Sequence, residues 1–424
     1  MDKEDTINKS ILLNWLYSAD KDLPVSELGK WIEARTDGKY TLIKKEREPS
    51  YLILENGDIY TGVGYGAKKN SIGELVFNTS ITGYQEVITD PSYRGQIIAF
   101  TYPHIGNIGT CIEDEESDQT WLKAIITREI PTKPSNWRNS KSLDDYLIDN
   151  NVPGLAEIDT RKLTKVIRDK GNLLGMIVRD SIEYKDALAQ ILIYKSNNLD
   201  SKSLFSFHER TSPIINNKKT NENSILNVAI IDFGCKNSIL HMLENFNCKV
   251  SVFTHDCHFD SIKQLKVDAV LVSNGPGNPE LYTSSINLIT EIIREEIPIL
   301  GICLGHQLLG IAFGAKIEKL RFGHHGINHP VKDLASGKVF ITSQNHNYVL
   351  SRETLPSVLS ITHVSLFDNS IQGFKHNEKN IVGFQGHPEG GPGPIDIQKN
   401  IVEKFLIQIG NIKRTNYIIQ EKNK

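Results

Sequence analysis

The sequence predicts an α/β protein: a C-terminal half built as a mostly parallel sheet flanked by helices, preceded by a smaller α+β domain. Three observations carry this expectation. Beyond residue 225, apolar runs of strand length alternate with helix-length segments, the pattern of parallel strands joined by crossover helices. Ser212 to Ser224 is polar, with Pro213, Asn216, Asn217, Asn221, Asn223 and the pair Lys218-Lys219, and reads as a linker between two folded parts. At Tyr51 the texture changes from a polar leading stretch to short apolar runs punctuated by glycine.

Taken in order, residues 1–48 form an extension with helical-looking stretches at Ile11 to Tyr17 and Val25 to Ile32 and no role legible in them. Residues 50–205 make the smaller domain. Within it Tyr51-Leu52-Ile53-Leu54 and Gln96-Ile97-Ile98-Ala99-Phe100 read as strands, with turns expected at Gly57, Gly62, Gly64 and Gly66. Residues 206–224 are the linker. Residues 225–415 carry the strand Val228-Ala229-Ile230-Ile231, a helix over Ser238 to Phe246 and a strand over Val250 to Phe253. The strand Ala269 to Val272, a turn, a helix over Tyr282 to Glu296 and the strand Ile299 to Ile302 come next. Residues 416–424 are a polar tail.

Composition narrows the class without naming an activity. The 424 residues are 39% hydrophobic and 23% charged, an ordinary globular balance with ample chain for a buried core. Lys and Arg number 48 against 51 Asp and Glu, a net charge of −3, so no basic excess advertises nucleic acid. Cys111, Cys235, Cys248, Cys257 and Cys303 are scattered and odd in number, which fits free thiols in a reducing compartment. The acidic start and the lack of a long apolar run lead to the expectation of a cytoplasmic protein with no membrane span.

In such sheets ligands bind beyond the carboxyl ends of the strands, so the turns there are where chemistry is sought. Gly301-Ile302-Cys303-Leu304-Gly305-His306-Gln307 places a thiol between glycines, after an apolar strand and before a helix expected to begin near Gln307. That is the pattern of a nucleophile elbow with Cys in place of Ser, although a buried structural thiol is also compatible with it. Gly386-His387-Pro388-Glu389 comes after the run Ile381 to Phe384. In an extended segment the two titratable side chains share a face, so His387 can act as base while Glu389 orients it, although a lone HxE by itself fits a surface His beside a solvated Glu better. Ser273-Asn274-Gly275-Pro276-Gly277-Asn278-Pro279 offers backbone N–H groups which, with that of Leu304, suit an oxyanion hole, though as a plain turn it needs no explanation. Three histidines in Gly323-His324-His325-Gly326-Ile327-Asn328-His329-Pro330 admit a metal site by spacing. A structured loop is the preferred reading, and no metal is assigned. No phosphate-loop motif of the GxxxxGK[ST] type is present.

Together the Cys303 elbow, the His387 and Glu389 pair and the Asn274-Gly275-Pro276-Gly277 turn resemble the class I, triad-type glutamine amidotransferases. Phe322 to Lys332, Ser343-Gln344-Asn345-His346, and the runs Gly73 to Glu86 and Thr89 to Tyr93 narrow the resemblance to the small subunit of carbamoyl-phosphate synthase. It extends over about residues 50 to 415. Anthranilate and GMP synthase amidotransferases lack the N-terminal domain that carries the residue 73 to 93 segment. The resemblance implies Cys303 as nucleophile, His387 as base and Glu389 as the residue holding the base. It implies Ser80, Gly275, Gly277, Leu304, Gln307 and Asn345 as residues that hold L-glutamine, with contacts at Asn347 and Tyr348 mainly through backbone. At those last two positions the family pattern has a glycine and an aromatic, so Asn347 is expected at a positive φ, which Asn tolerates. The resemblance further implies ammonia transfer to a large synthetase subunit. That partner would hold the ATP and divalent metal, leaving this chain without a cofactor. An amidotransferase serving another synthetase, or a non-catalytic docking subunit, are the alternatives.

Overall fold

The computed structural model describes residues 47–130, 133–198 and 226–410. Residues 1–46 of the leading extension, the linker and the polar tail lie outside the described residues. By contact the chain divides into Met1–Arg47 and Glu48–Lys424, and every described strand and helix belongs to the second unit. Among the described residues no helix is long and apolar enough to cross a membrane.

The first part is a closed barrel of seven strands: β1 (Pro49–Leu54), β2 (Ile59–Gly66), β3 (Ser71–Asn78), β4 (Gln96–Phe100), β5 (Ala124–Ile126), β6 (Pro153–Ala156) and β7 (Leu173–Val178). They close in the order β1-β2-β6-β5-β4-β3-β7. Helix α1 (Tyr84–Thr89) comes after β3, α2 (Leu143–Asp149) precedes β6, α3 (Thr160–Lys170) links β6 to β7, and α4 (Tyr184–Asn198) comes after β7. Two caps fix helix starts: Ser142 accepts from the N–H of Asp145, and Asp159 from that of Lys162. Gly62 and Gly64, expected in turns, sit inside β2. The reason is close approach rather than turning, since a methyl on Gly62 would overlap the carbonyl oxygen of Ala156 on the neighbouring strand.

The second part is a nine-stranded sheet in the order β13-β12-β14-β15-β16-β11-β10-β8-β9. Its strands are β8 (Leu226–Asp232), β9 (Cys248–Thr254), β10 (Ala269–Val272), β11 (Ile299–Ile302), β12 (Ile317–Asp333), β13 (Val339–Leu350), β14 (Leu359–Ser365), β15 (Ile371–His376) and β16 (Ile381–Phe384). The half made of β9, β8, β10, β11 and β16 is parallel. From β16 outward the pairing turns antiparallel, so the sheet is mixed.

Both faces of the parallel half are covered. Val228 and Ile230 of β8 pack on one side with α5 (Asn237–Asn245) and a final helix that opens with a wide turn at Lys399–Glu403. Ala229 and Ile231 point the other way, toward α6 (Phe259–Gln264), α7 (Thr283–Arg294) and α8 (Leu304–Ala312). This is why the strands read as unbroken apolar runs, each buried Ile or Leu contributing about 1.5–3 kcal/mol.

The histidine segment, expected as a loop, lies within β12. It pairs with β13 through His324 opposite His346 and His325 opposite Asn345, with register shifts on either side. Those irregularities let glycine and proline occur within a strand. Among the described residues no group of three or more His, Cys, Asp or Glu is arranged to hold a metal ion. His324 instead meets the Asp368 carboxylate at 2.9 Å.

Candidate active site

The carboxyl ends of four adjacent parallel strands converge here. β11 ends at Ile302 and α8 begins at Leu304, three residues before the start expected near Gln307, so Cys303 alone makes the turn. Its backbone sits at φ 53° and ψ −104°, a conformation that costs a side-chain-bearing residue on the order of 1–3 kcal/mol. Neighbours enforce it. Cys303 N donates to Phe384 O at 2.9 Å, Gly305 N to Ser273 O at 3.1 Å and Gln307 N to Cys303 O at 3.2 Å. Gly305 is required for the close approach, because a methyl there would overlap the Val272 carbonyl of β10. The sulfur is buried, 3.5 Å from the main-chain oxygen of Asn345 and 3.9 Å from Gln385 Nε2.

His387 comes after β16 and is held by its N–H, which donates to Ser343 O at 2.9 Å. Its Nδ1 lies 2.6 Å from Glu389 Oε1. A carboxylate only accepts, so Nδ1 carries a proton and Nε2 is left for the sulfur side. Glu389 in turn receives Lys236 Nζ at 3.1 Å, and the same ammonium donates to Gly390 O at 2.8 Å. All three side chains are buried. Burial opposes the charge on His387, but Glu389 and the Cys303 sulfur outweigh it and lift the imidazole to about 10. Burial likewise opposes the Glu389 carboxylate, and Lys236 and His387 overcome it, holding that group at about 2. The geometry therefore suits a thiol next to an imidazole that readily keeps a proton.

A cavity of about 330 Å³ opens in front of Cys303, lined on the sheet side by Gly275, Gly277, Gln307, Asn345, Asn347 and Tyr348. Gly277 takes φ 88°, which lets the turn fold back against the cavity. Gly275 packs against both Phe233 and Leu304. Leu304 itself is in the core, so what it offers the cavity side is its backbone at the start of α8. Gln307 Nε2 donates to Tyr348 O at 2.7 Å and to Gln385 Oε1 at 3.1 Å. Asn347 is not at a positive φ, against expectation. It lies in β13 where the register with β12 shifts, between the Lys319–Tyr348 and His324–His346 pairs, and its side chain faces His325, Asn172 and Glu74. Ser80 lies on the other side of Asn345, in a second, small cavity of about 10 Å³ with His387, Lys236 and Pro392.

Three contributors were given no role in the sequence reading: Lys236 and Gln385 lie outside the motifs, and Asp90 lies in the Thr89 to Tyr93 run without an assigned part. Lys236 comes from the turn after β8, the kind of position the strand-end rule points to, but nothing marks that single lysine. Gln385 sits between β16 and His387. Asp90, from the barrel part, accepts from Asn345 Nδ2 at 3.1 Å and from Ser92 N at 2.9 Å, so the barrel builds one wall of the site.

A buried thiol on a strand-to-helix elbow, beside a His-Glu pair at the carboxyl edge of a parallel sheet, is the architecture of a class I glutamine amidotransferase. Residues 229–409 match the family described as glutamine amidotransferase class-I. Residues 52–177 match carbamoyl-phosphate synthase small chain, CPSase domain. Relatives named carbamoyl phosphate synthase small chain include that of Wigglesworthia glossinidia brevipalpis, 47% identical over 81% of this chain and 92% of its own length. Those of Pasteurella multocida and Neisseria meningitidis are each 43% identical, over 85% and 86% of this chain and 95% and 98% of theirs. The chain belongs to the carbamoyl-phosphate synthase small chain family, whose glutamine-hydrolysing amidotransferase domain forms its second part.

Proposed function

We propose that this chain hydrolyses L-glutamine to glutamate and passes the ammonia to a large synthetase subunit. The observation that carries the reading is the buried Cys303, His387 and Glu389 arrangement, backed by Lys236 and opening onto a cavity whose lining includes Gly275, Gly277, Gln307 and Asn345. The Cys303 thiolate attacks the side-chain amide carbon. Backbone N–H groups of Leu304 and Gly275 meet the oxyanion, and His387 delivers its Nε2 proton to the departing ammonia. Water, deprotonated by the now neutral His387, then hydrolyses the thioester, releasing glutamate and returning the thiol.

Ammonia that escapes to neutral water becomes ammonium and stops being nucleophilic, so departure through protein is part of the mechanism. A space of about 10 Å³ beside His387, with Ser80 and Pro392 in its lining, is large enough for one ammonia molecule and is the proposed start of that departure. The large subunit would bind two ATP with divalent metal and combine bicarbonate with ammonia. Carbamoyl phosphate made this way feeds arginine and pyrimidine synthesis in the cytoplasm.

Cys303→Ser in the assembled complex is expected to lower glutamine-dependent carbamoyl phosphate formation by at least about a thousandfold while ammonia-dependent formation persists. Loss of both activities would assign the substitution's effect to assembly rather than amide cleavage.

A further inference from the structure

His325 is buried and lines the glutamine cavity, yet amide cleavage by Cys303 and His387 does not use it. It stands opposite Asn345 in the β12–β13 pairing. Its ring Nδ1 lies 2.9 Å from Asn345 Oδ1 and its Nε2 lies 3.0 Å from Asn347 Oδ1. Neither amide is free to turn round. Asn345 Nδ2 donates to the Asp90 carboxylate at 3.1 Å, and Asn347 Nδ2 donates to the Glu74 carboxylate at 3.2 Å. Asn172 Nδ2 adds a donor to Asn347 Oδ1 at 3.2 Å. Each carboxylate can only accept, so each amide turns its oxygen toward the ring. A neutral imidazole donates from one nitrogen and leaves the other lone pair against a carbonyl, whereas the doubly protonated ring satisfies both. Asn345 matters because its main-chain oxygen receives the Cys303 thiol.

We propose that His325 is a positioning residue for glutamine turnover, bracing Asn345 and Asn347 on the cavity wall through one hydrogen bond when neutral and through two when the ring takes a second proton. The inference rests on the glutaminase reading and adds a residue and a proton to it.

The groups acting on the ring come from several elements. Glu74 of β3 favours the second proton, with Lys319 of β12 on its other oxygen at 3.2 Å. Asp90 and Tyr93 approach from the barrel segment after α1, the Tyr93 ring at 6.0 Å. His324 and His329 on β12 and His346 on β13 oppose further positive charge. Burial is the largest effect and holds the imidazole below its ordinary range, against the pull of Asn345, Asn347 and Glu74. The second proton therefore enters on the acid side of neutrality, and glutamine binding tightens there.

The test is the pH dependence of glutamine KM and kcat in the assembled complex, for the wild type and for His325→Ala, His325→Gln and Asn347→Gly. At neutral pH His325→Ala is expected to raise KM about tenfold, the worth of one lost hydrogen bond, with a smaller change in kcat. His325→Gln can donate to Asn345 but does not titrate, so it brings KM back to within about threefold of wild type. Wild-type KM falls toward acid pH, and that fall is missing from both His325 variants. An unchanged KM in His325→Ala, or an acid fall retained in His325→Gln, overturns the proposal. If thermal melting finds His325→Ala unfolded, Asn347→Gly decides: a flat acid limb supports the bridge and a wild-type limb sinks it. A wild-type complex that does not cleave glutamine overturns the parent reading and this inference with it, whereas an active wild type with an unchanged His325→Ala overturns this inference alone.

Discussion

Cys303, His387, Glu389 and Lys236 form one buried chain of charge and proton donors, and each depends on the next. Glu389 in the fold titrates at about 2 against an ordinary 4.5, and His387 at about 10 against 6.5. A lowered carboxylate stabilises the fold fully above its ordinary value, and the benefit disappears as pH falls through 2. A raised imidazole stabilises it fully below its ordinary value, and that benefit disappears as pH rises through 10. Their joint contribution is therefore greatest between pH 4.5 and 6.5. Denaturant unfolding of the wild type and Glu389→Gln across pH should give a stability difference that peaks in this window and narrows on both sides. A difference independent of pH would contradict the assignment. The motif residues of this chain were legible because glycine and proline flank them. Lys236 was not, since its partner Glu389 is far away in sequence and only folding brings them to 3.1 Å.

At the scale of elements, the elbow works because β11 and α8 meet without a connecting loop. The glycines around Cys303 predicted a tight turn, but not that the helix starts at the very next residue, which places its positive end beside the sulfur. Gly305→Ala should force α8 away from β10, costing on the order of 1–3 kcal/mol by overpacking and lowering glutaminase kcat more than tenfold. Melting and steady-state kinetics on the same preparation check both parts, and a fully active variant would show the contact to be dispensable. The β12–β13 hairpin was the harder element to read. His, Gly, Asn and Pro suggested a loop, whereas cross-strand partners such as Asn345 and Gln344, which a single segment does not reveal, hold it as a bulged strand.

At the scale of the whole molecule, the barrel is part of the site rather than an attachment to it. Thr79 N donates to His325 O at 3.1 Å, Asn274 Nδ2 to Ser92 Oγ at 2.9 Å, and Ser238 N to Glu116 Oε2 at 2.9 Å. These bonds join barrel loops to β12, to the turn after β10 and to the start of α5. The barrel closes through β1 beginning at Pro49, and the small-chain family match begins at residue 52. Deletion of residues 1–46, which precede both the first strand of the barrel and the family match, is therefore expected to leave glutaminase turnover within about twofold of the full chain. A large fall in turnover would assign those residues a part in the site.

The alternation of strands and helices, the thiol elbow and the His-Glu pair are legible in the chain alone, because periodicity and turn chemistry act over a few neighbouring residues. It takes the folded chain to show that Lys236 backs the pair, that Asp90 and Glu74 of the barrel orient Asn345 and Asn347, and that His325 sits between those amides. Such pairings join residues far apart in the chain, and a charge or a hydrogen bond acts over ångströms of space however many residues intervene.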